Sequence, residues 1–270
     1  MITGINAWVF DPDTSLTQQF SQTASAGFQA IELCFDTGEL SMSTSQPDCE
    51  LFARQAAGAG LIVTSVATGA YWQCNFGSND AEIRQQAHEM TLAAMDRAAW
   101  LGAEVVLIVP AVVGRWNRPE PQVPYEDALN RTYEGLQRLI PDAESRGVGL
   151  AMENVWNRFL LSPIELRELI DRLNSPYVGV HFDVGNVMPF GYPEDWIRIL
   201  GHRILRVHLK DYDLSKPGTD GFVTLGDGDV NWAAVFGALI RAGYDGPVLY
   251  EGKGGLSEIH DRMKRVMAQP

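Results

Sequence analysis

The sequence reads AMENVW at residues 151–156, VGVHFDVGN at 178–186, RVHLKD at 206–211 and VLYEG at 248–252. Each stretch is an apolar, strand-like run with an acidic or imidazole side chain near its C-terminal end: Glu153, Asp183, His208 and Glu251. Short apolar runs bounded by turn residues read as buried strands. In a parallel barrel the C-terminal ends of all strands share one rim, so these four side chains converge on one point.

The same reading extends outward along the chain. Strands are expected at 2–10, 30–35, 61–68, 105–113, 149–155, 178–184, 204–210 and 247–251, with helical periodicity between them. Gly27, Gly60, Gly102, Gly147 and the Gly246-Pro247 pair stand just before strands, where a helix ends. Ser162-Pro163 with Glu165 marks a helix start: an N-cap, a proline at the first helical position and an acidic first turn. Eight βα units at roughly 30-residue spacing predict an α/β fold, a (β/α)8 TIM barrel formed by one domain over residues 1–270. The Gly- and Asp-rich stretch DLSKPGTDGFVTLGDGDV, residues 213–230, reads as an irregular active-site loop. Neither GxGxxG nor GxxxxGK[ST] occurs, so a nucleotide-binding fold is not indicated.

Composition narrows the partners. With 270 residues, 46% of them hydrophobic, the chain can bury a large core. A formal charge of −13 argues against nucleic acid, whose backbone is bound by Lys and Arg, and favours a small polar substrate. Three cysteines without a CxxC pair point to a reducing compartment, and no signal peptide or long apolar span is apparent. A cytoplasmic protein that does not enter a membrane is expected.

Three carboxylates and one imidazole suit a hard or borderline divalent ion such as Mn, Mg, Co or Zn. Taken singly, each glutamate in an apolar strand has a plainer explanation, a buried ion pair. The fourfold coincidence favours a metal site. In HFDVGN, Gly185 permits a tight turn directly after Asp183, and Asn186 can bond back to the loop or outward to a ligand. Lys210 shares the face of His208 at period two, and His181 shares the face of Asp183 one layer deeper, where it could orient a ligand or simply fill the core.

The set AMENVWN, HFDVGN, RVHLKD, LGDGDVNW and LYEG, in this order, resembles the xylose isomerase-like barrels. This group includes ketose 3-epimerases, ketose-phosphate epimerases, hydroxypyruvate isomerase and inosose dehydratase. The resemblance implies metal ligation by Glu153, Asp183, His208 and Glu251, and catalysis by Glu153 and Glu251 as paired general bases. It implies a sugar or sugar-phosphate isomerase or epimerase working through a metal-stabilised enediolate. Two departures stand out. Asn186 occupies the place where free-ketose epimerases carry histidine, matching the DVGN of pentulose-phosphate epimerases. The substrate arginine those enzymes place soon after the metal histidine is missing, the nearest cations being Lys210 and Lys216.

Trp8, Trp116 and Trp156 fall at or beyond strand ends and are expected, with His181, Asn186 and Lys210, to contact a sugar. Packing is the plainer role for any one tryptophan. Arg115, Arg118 and Arg158 also follow strands, so free and phosphorylated sugars both stay open. Two other functions share the pattern: an inosose-dehydratase-type lyase using the same metal site, and a non-catalytic carbohydrate-binding barrel. A homodimer or homotetramer is expected.

Overall fold

Strands β1 (Thr3–Asn6), β2 (Ala30–Cys34), β3 (Ile62–Ala67), β4 (Val105–Ile108), β5 (Gly149–Glu153), β6 (Val178–Asp183), β7 (Ile204–Leu209) and β10 (Val248–Tyr250) close into a parallel barrel in the order β1-β10-β7-β6-β5-β4-β3-β2. The intervening β8 (Asp211–Tyr212) and β9 (Phe222–Val223) form a separate antiparallel pair. The computed structural model describes residues 1–35, 38–115 and 122–268. All eight expected barrel strands are present, which confirms the (β/α)8 reading.

The helices are α1 (Leu16–Ser25), α2 (Gln46–Gly58), α3 (Ala81–Leu101), α4 (Tyr125–Arg146), α5 (Pro163–Leu173), the single turn α6 (Val184–Val187), α7 (Pro193–Leu200), α8 (Trp232–Arg241) and α9 (Leu256–Met267). Apart from α6 they form a closed outer ring, each touching the next and α9 returning to α1. The expected helix start at Ser162 is observed, with its side chain accepting the Glu165 N–H at 3.2 Å. Gly102 and Gly147 end α3 and α4 in the left-handed conformation that glycine adopts without a Cβ penalty. Among the described residues no helix is long and apolar enough to cross a membrane.

Strand ends differ from the sequence reading where side chains capture the backbone. The run 2–10 is strand only to Asn6, whose Oδ1 accepts the Trp8 N–H at 2.7 Å and turns the chain into a 3-10 helix. The stretch 213–230 is less irregular than expected, because β9 within it pairs with β8. A buried carboxylate organises this excursion. Asp211 accepts the N–H groups of Tyr212 (2.9 Å), Gly226 (2.7 Å) and Val230 (3.3 Å) and the indole N–H of Trp232 (3.1 Å).

Hydrogen bonds to a buried ionised acceptor are the strong ones, and removing the acceptor strands its donors. Asp211→Ala is therefore expected to lower unfolding free energy by about 3 kcal/mol, and Asp211→Asn by less. Urea denaturation followed by circular dichroism measures both; an Asp211→Ala protein as stable as the parent would refute the hub role.

Candidate metal centre

Glu153 and Asp183 are the last residues of β5 and β6, His208 lies in β7, and Glu251 follows β10. These four strands are adjacent in the barrel, so the fold gathers what the sequence spreads over about a hundred residues. One ligand atom from each lies within 4.8 Å of the others. His208 Nδ1 is 2.8 Å from Glu251 Oε2, 3.7 Å from Glu153 Oε1 and 3.9 Å from Asp183 Oδ2. Lys210 Nζ bridges Asp183 Oδ2 at 3.0 Å and Glu251 Oε1 at 2.9 Å.

Local structure aims each group. Asn154 accepts the Asp183 N–H through Oδ1 and donates to the Asp183 carbonyl through Nδ2, both at 2.8 Å, clamping the end of β6 to β5. Asp183 Oδ1 then accepts the Asn186 N–H at 2.8 Å, leaving Oδ2 for the centre. A side chain on Gly185 would collide with Lys210, its Cβ falling 2.6 Å from the Lys210 Cβ. The glycine in DVGN thus lets the two strand ends approach. Register shifts occur beside Glu32 in β2 and beside His181 in β6. Such irregularities re-aim side chains near sites.

The imidazole of His208 is held from behind by a residue absent from the sequence-derived set. Glu32, fully buried, accepts from His208 Nε2 at 2.6 Å, from Asn6 Nδ2 at 2.6 Å and from Ser65 Oγ at 2.6 Å. Nε2 therefore carries a hydrogen and Nδ1 faces the carboxylates, the arrangement in which a second carboxylate orients a metal-ligating histidine. Glu32 was legible by the same rule that singled out Glu153, since it too interrupts an apolar run, AIELC.

Asp183 Oδ2, His208 Nδ1 and Glu251 Oε2 are buried and lack a partner in hydrogen-bond geometry. Three carboxylates and an imidazole nitrogen turned to one point are what a divalent cation satisfies, so these residues fit such an ion. The electrostatics agree. Burial pushes the Glu153 carboxyl up to about 7, the nearby Glu251 adding to it while His208 and Lys210 oppose it. Burial and Glu251 also raise Asp183. Burial would raise Glu251 as well, but Lys210 and His208 outweigh it and hold it at about 2. Burial would lower His208, yet Glu32 and Glu251 carry it well above the ordinary imidazole range.

Trp8, Trp156, Asn186 and Lys210 line a cavity of about 410 Å³ at the barrel mouth, together with Glu153 and Glu251. Trp156 donates its indole N–H to the Asn186 carbonyl at 2.9 Å and stacks on Phe222, ring centroids 5.1 Å apart. Thr219 and Phe222 of the 213–230 excursion also face this cavity, as do Thr68, Trp72 and Arg115. His181 is not in that wall. It is fully buried, its ring centroid 4.0 Å from that of His208 and its Nε2 3.7 Å from Glu32 Oε2. Its environment, chiefly burial, holds it neutral at about 3. Trp116 and Arg118 lie outside the described residues.

Comparison with known proteins agrees with this architecture. Residues 20–267 match the family model for the xylose isomerase-like TIM barrel. The chain belongs to that family. It is 28% identical over 261 residues to a putative L-ribulose-5-phosphate 3-epimerase, SgbU of Escherichia coli K12, covering 92% of this chain and 87% of the relative. Among solved structures, an L-ribulose 3-epimerase superposes with a TM-score of 0.78 at 24% identity, covering 99% of this chain and 86% of the other. The apo 3-keto-D-glucoside 4-epimerase YcjR of E. coli superposes with a TM-score of 0.82 at 16% identity, covering all of both chains.

A raised His208 and a raised Glu153 mean that the cation-free protein holds protons at the centre near neutral pH. A cation must displace them, so binding releases protons and affinity rises with pH. Calorimetric titration with MnCl2 in buffers of different ionisation enthalpy should show this release, and affinity should fall between about pH 8 and about pH 6. Glu32→Gln should weaken Mn(II) binding by roughly 10- to 100-fold. PH-independent binding without proton release would refute the ligand set.

Proposed function

We propose that the protein is a divalent-metal-dependent isomerase or epimerase of a sugar or sugar phosphate, moving a proton on the carbon next to a carbonyl. The observation that carries this reading is the pairing of Glu153 and Glu251. They stand on β5 and just after β10, at the two ends of the four-strand arc that holds the cluster, with β6 and β7 between them. Both line the mouth cavity. A substrate held between them meets one carboxylate on each face, as an epimerase requires: one group removes the proton and the other returns one to the opposite face.

In the cation-free protein the two carboxylates differ in charge state. Lys210 and His208 hold Glu251 at about 2, so it is ionised and ready to accept a proton at neutral pH. Burial and the charge of Glu251 raise Glu153 to about 7 there, and a bound cation would displace its proton, leaving both carboxylates ionised. A bound Mn, Mg, Co or Zn ion would supply electrostatic stabilisation of the negative charge that develops on the carbonyl oxygen. Glu153, Asp183, His208 and Glu251 would hold it. Lys210, already fixed between Asp183 and Glu251, adds positive charge on the same side.

Substrate walls come from aromatic and amide groups. Trp8 is 39% exposed and Trp156 half-buried, so each presents an apolar face to sugar C–H bonds. The Asn186 side chain lines the cavity beside them. The three proteins compared above are named as epimerases, the first of them a putative one, and this supports the same reaction class.

In D2O the Mn(II)-loaded protein should wash deuterium into a ketose or ketose phosphate at the carbon next to the carbonyl, with a second epimer or isomer appearing by proton NMR. Glu153→Gln and Glu251→Gln should each lower turnover by about 10²- to 10⁴-fold at saturating Mn(II). Undiminished turnover in either variant would exclude the two-carboxylate mechanism.

A further inference from the structure

The mouth cavity is electrically lopsided. Its carboxylates stand on the half of the barrel built by β5, β6, β7 and β10. Arg115 follows β4 and reaches Trp72, which follows β3, on the other half. Of the two cations that line this cavity among the described residues, Lys210 is committed to Asp183 and Glu251. Arg115 is not so committed. One Nη donates to the Trp72 carbonyl at 3.2 Å, and the guanidinium carbon sits 5.8 Å from the Trp72 ring centroid. Its Nε has no acceptor, and among the described residues no carboxylate lies within ion-pair distance.

We propose that Arg115 anchors a phosphate group at the end of the substrate remote from its carbonyl, so that the protein acts on a sugar phosphate in preference to the free sugar; the identity of the carbonyl end rests on the reading given under Proposed function. The local pairing of charges supports this. With a divalent ion in place, that ion and Lys210 stand beside the three carboxylates of the cluster and Glu32 lies behind His208, so none of these carboxylates pairs directly with Arg115. A neutral sugar leaves it uncompensated in a partly desolvated wall. A phosphate monoester supplies both the countercharge and acceptor oxygens for a guanidinium that uses one hydrogen bond out of five donors. The bond to Trp72 pre-positions the planar group, which lowers the ordering cost of binding. A cavity of about 410 Å³ lies within the size range of small-ligand pockets, so one ligand can meet Glu251 and Arg115 together.

The test compares the Mn(II)-loaded full chain with its Arg115→Gln and Arg115→Lys variants, on L-ribulose and on its 5-phosphate, reading deuterium incorporation in D2O. The parent should prefer the phosphate. Arg115→Gln should lower kcat/KM for the phosphate about 100-fold, through KM, and leave the free ketose within about threefold. Arg115→Lys should recover part of the loss, because it restores charge without the planar fork. Inorganic phosphate should inhibit the parent competitively against the free ketose and leave Arg115→Gln unaffected. Equal losses on both substrates would overturn the proposal, as would a parent that prefers the free ketose or a ketose ending in a carboxylate. If neither ribulose substrate exchanges, calorimetry with inorganic phosphate separates the two ideas. Binding to the parent that Arg115→Gln abolishes supports the anion site independently of the epimerase reading, whereas no binding, or binding unchanged by the substitution, overturns it.

Discussion

Three carboxylates brought to one buried point are the constraint to which the rest of the molecule answers. Asp183 is fully buried and Glu153 nearly so, and an uncompensated buried carboxylate costs several kcal/mol even after relaxation. Compensation is local and layered. Lys210 bridges two of the three, and His208 faces all of them. Behind His208, Glu32 draws on Asn6 and Ser65 and so brings β1 and β3 into the same network. The site is in this sense the polar core of the barrel: seven of its eight strands supply the cluster and its supports directly or through the residue that follows them, while Ile5, Leu33 and Phe182 belong to the apolar core.

Holding such a cluster requires backbone that is itself fixed. After β5 the chain places two non-glycine residues, Arg158 and Leu160, at φ 57° and 52°, a region that L-residues enter at a cost. The loop is over-determined around them. Asn157 donates to the Ala111 carbonyl at 2.8 Å and accepts the Phe159 N–H at 3.1 Å. The Tyr125 hydroxyl accepts the Leu160 N–H at 3.0 Å and donates to Glu165, whose other oxygen accepts the Leu161 N–H at 3.0 Å. Strain beside Glu153 and Trp156 is thus retained by contacts from α4 and α5. On the other side of Trp156, Phe222 stacks on the indole at the position β9 sets for it, and β9 is tied to the barrel through Asp211.

Fold and cluster were legible for the same reason. Buried parallel strands are near-continuous apolar runs, so a charged residue at the end of one is conspicuous, and barrel topology converts four conspicuous positions into one place. What the sequence hid depends on contacts between distant segments. Glu32 sits in a run as apolar as the others, but its partner His208 is 176 residues away, and nothing local marks the pair. Asn154 looks like an ordinary polar neighbour of Glu153 until β6 is placed beside it. His181 shares the parity of Asp183, which suggested a role at the mouth. Depth separates them: two residues further back along β6, the imidazole packs under His208 and never reaches the cavity. Parity assigns a face of the strand and says nothing of height along the barrel axis.

The same electrostatics would let the fold tolerate the centre with or without a cation. A structural zinc site collapses when its ion leaves, because its ligands have no other source of compensation. Here the elevated proton affinities of His208 and Glu153 provide one. Protons taken up by the imidazole and the carboxyl would remove much of the uncompensated charge that a departing divalent ion exposes, while the bond from His208 to Glu32 does not involve a ligand position and Lys210 already bridges Asp183 and Glu251. On the proposed function, loading the centre would be largely an exchange of protons for a cation. The apolar barrel supplies the folding free energy, and the choice between proton and cation is left to pH and ion concentration. This separation of stability from charge allows a cluster of carboxylates to occupy the heart of a chain that already carries a net −13.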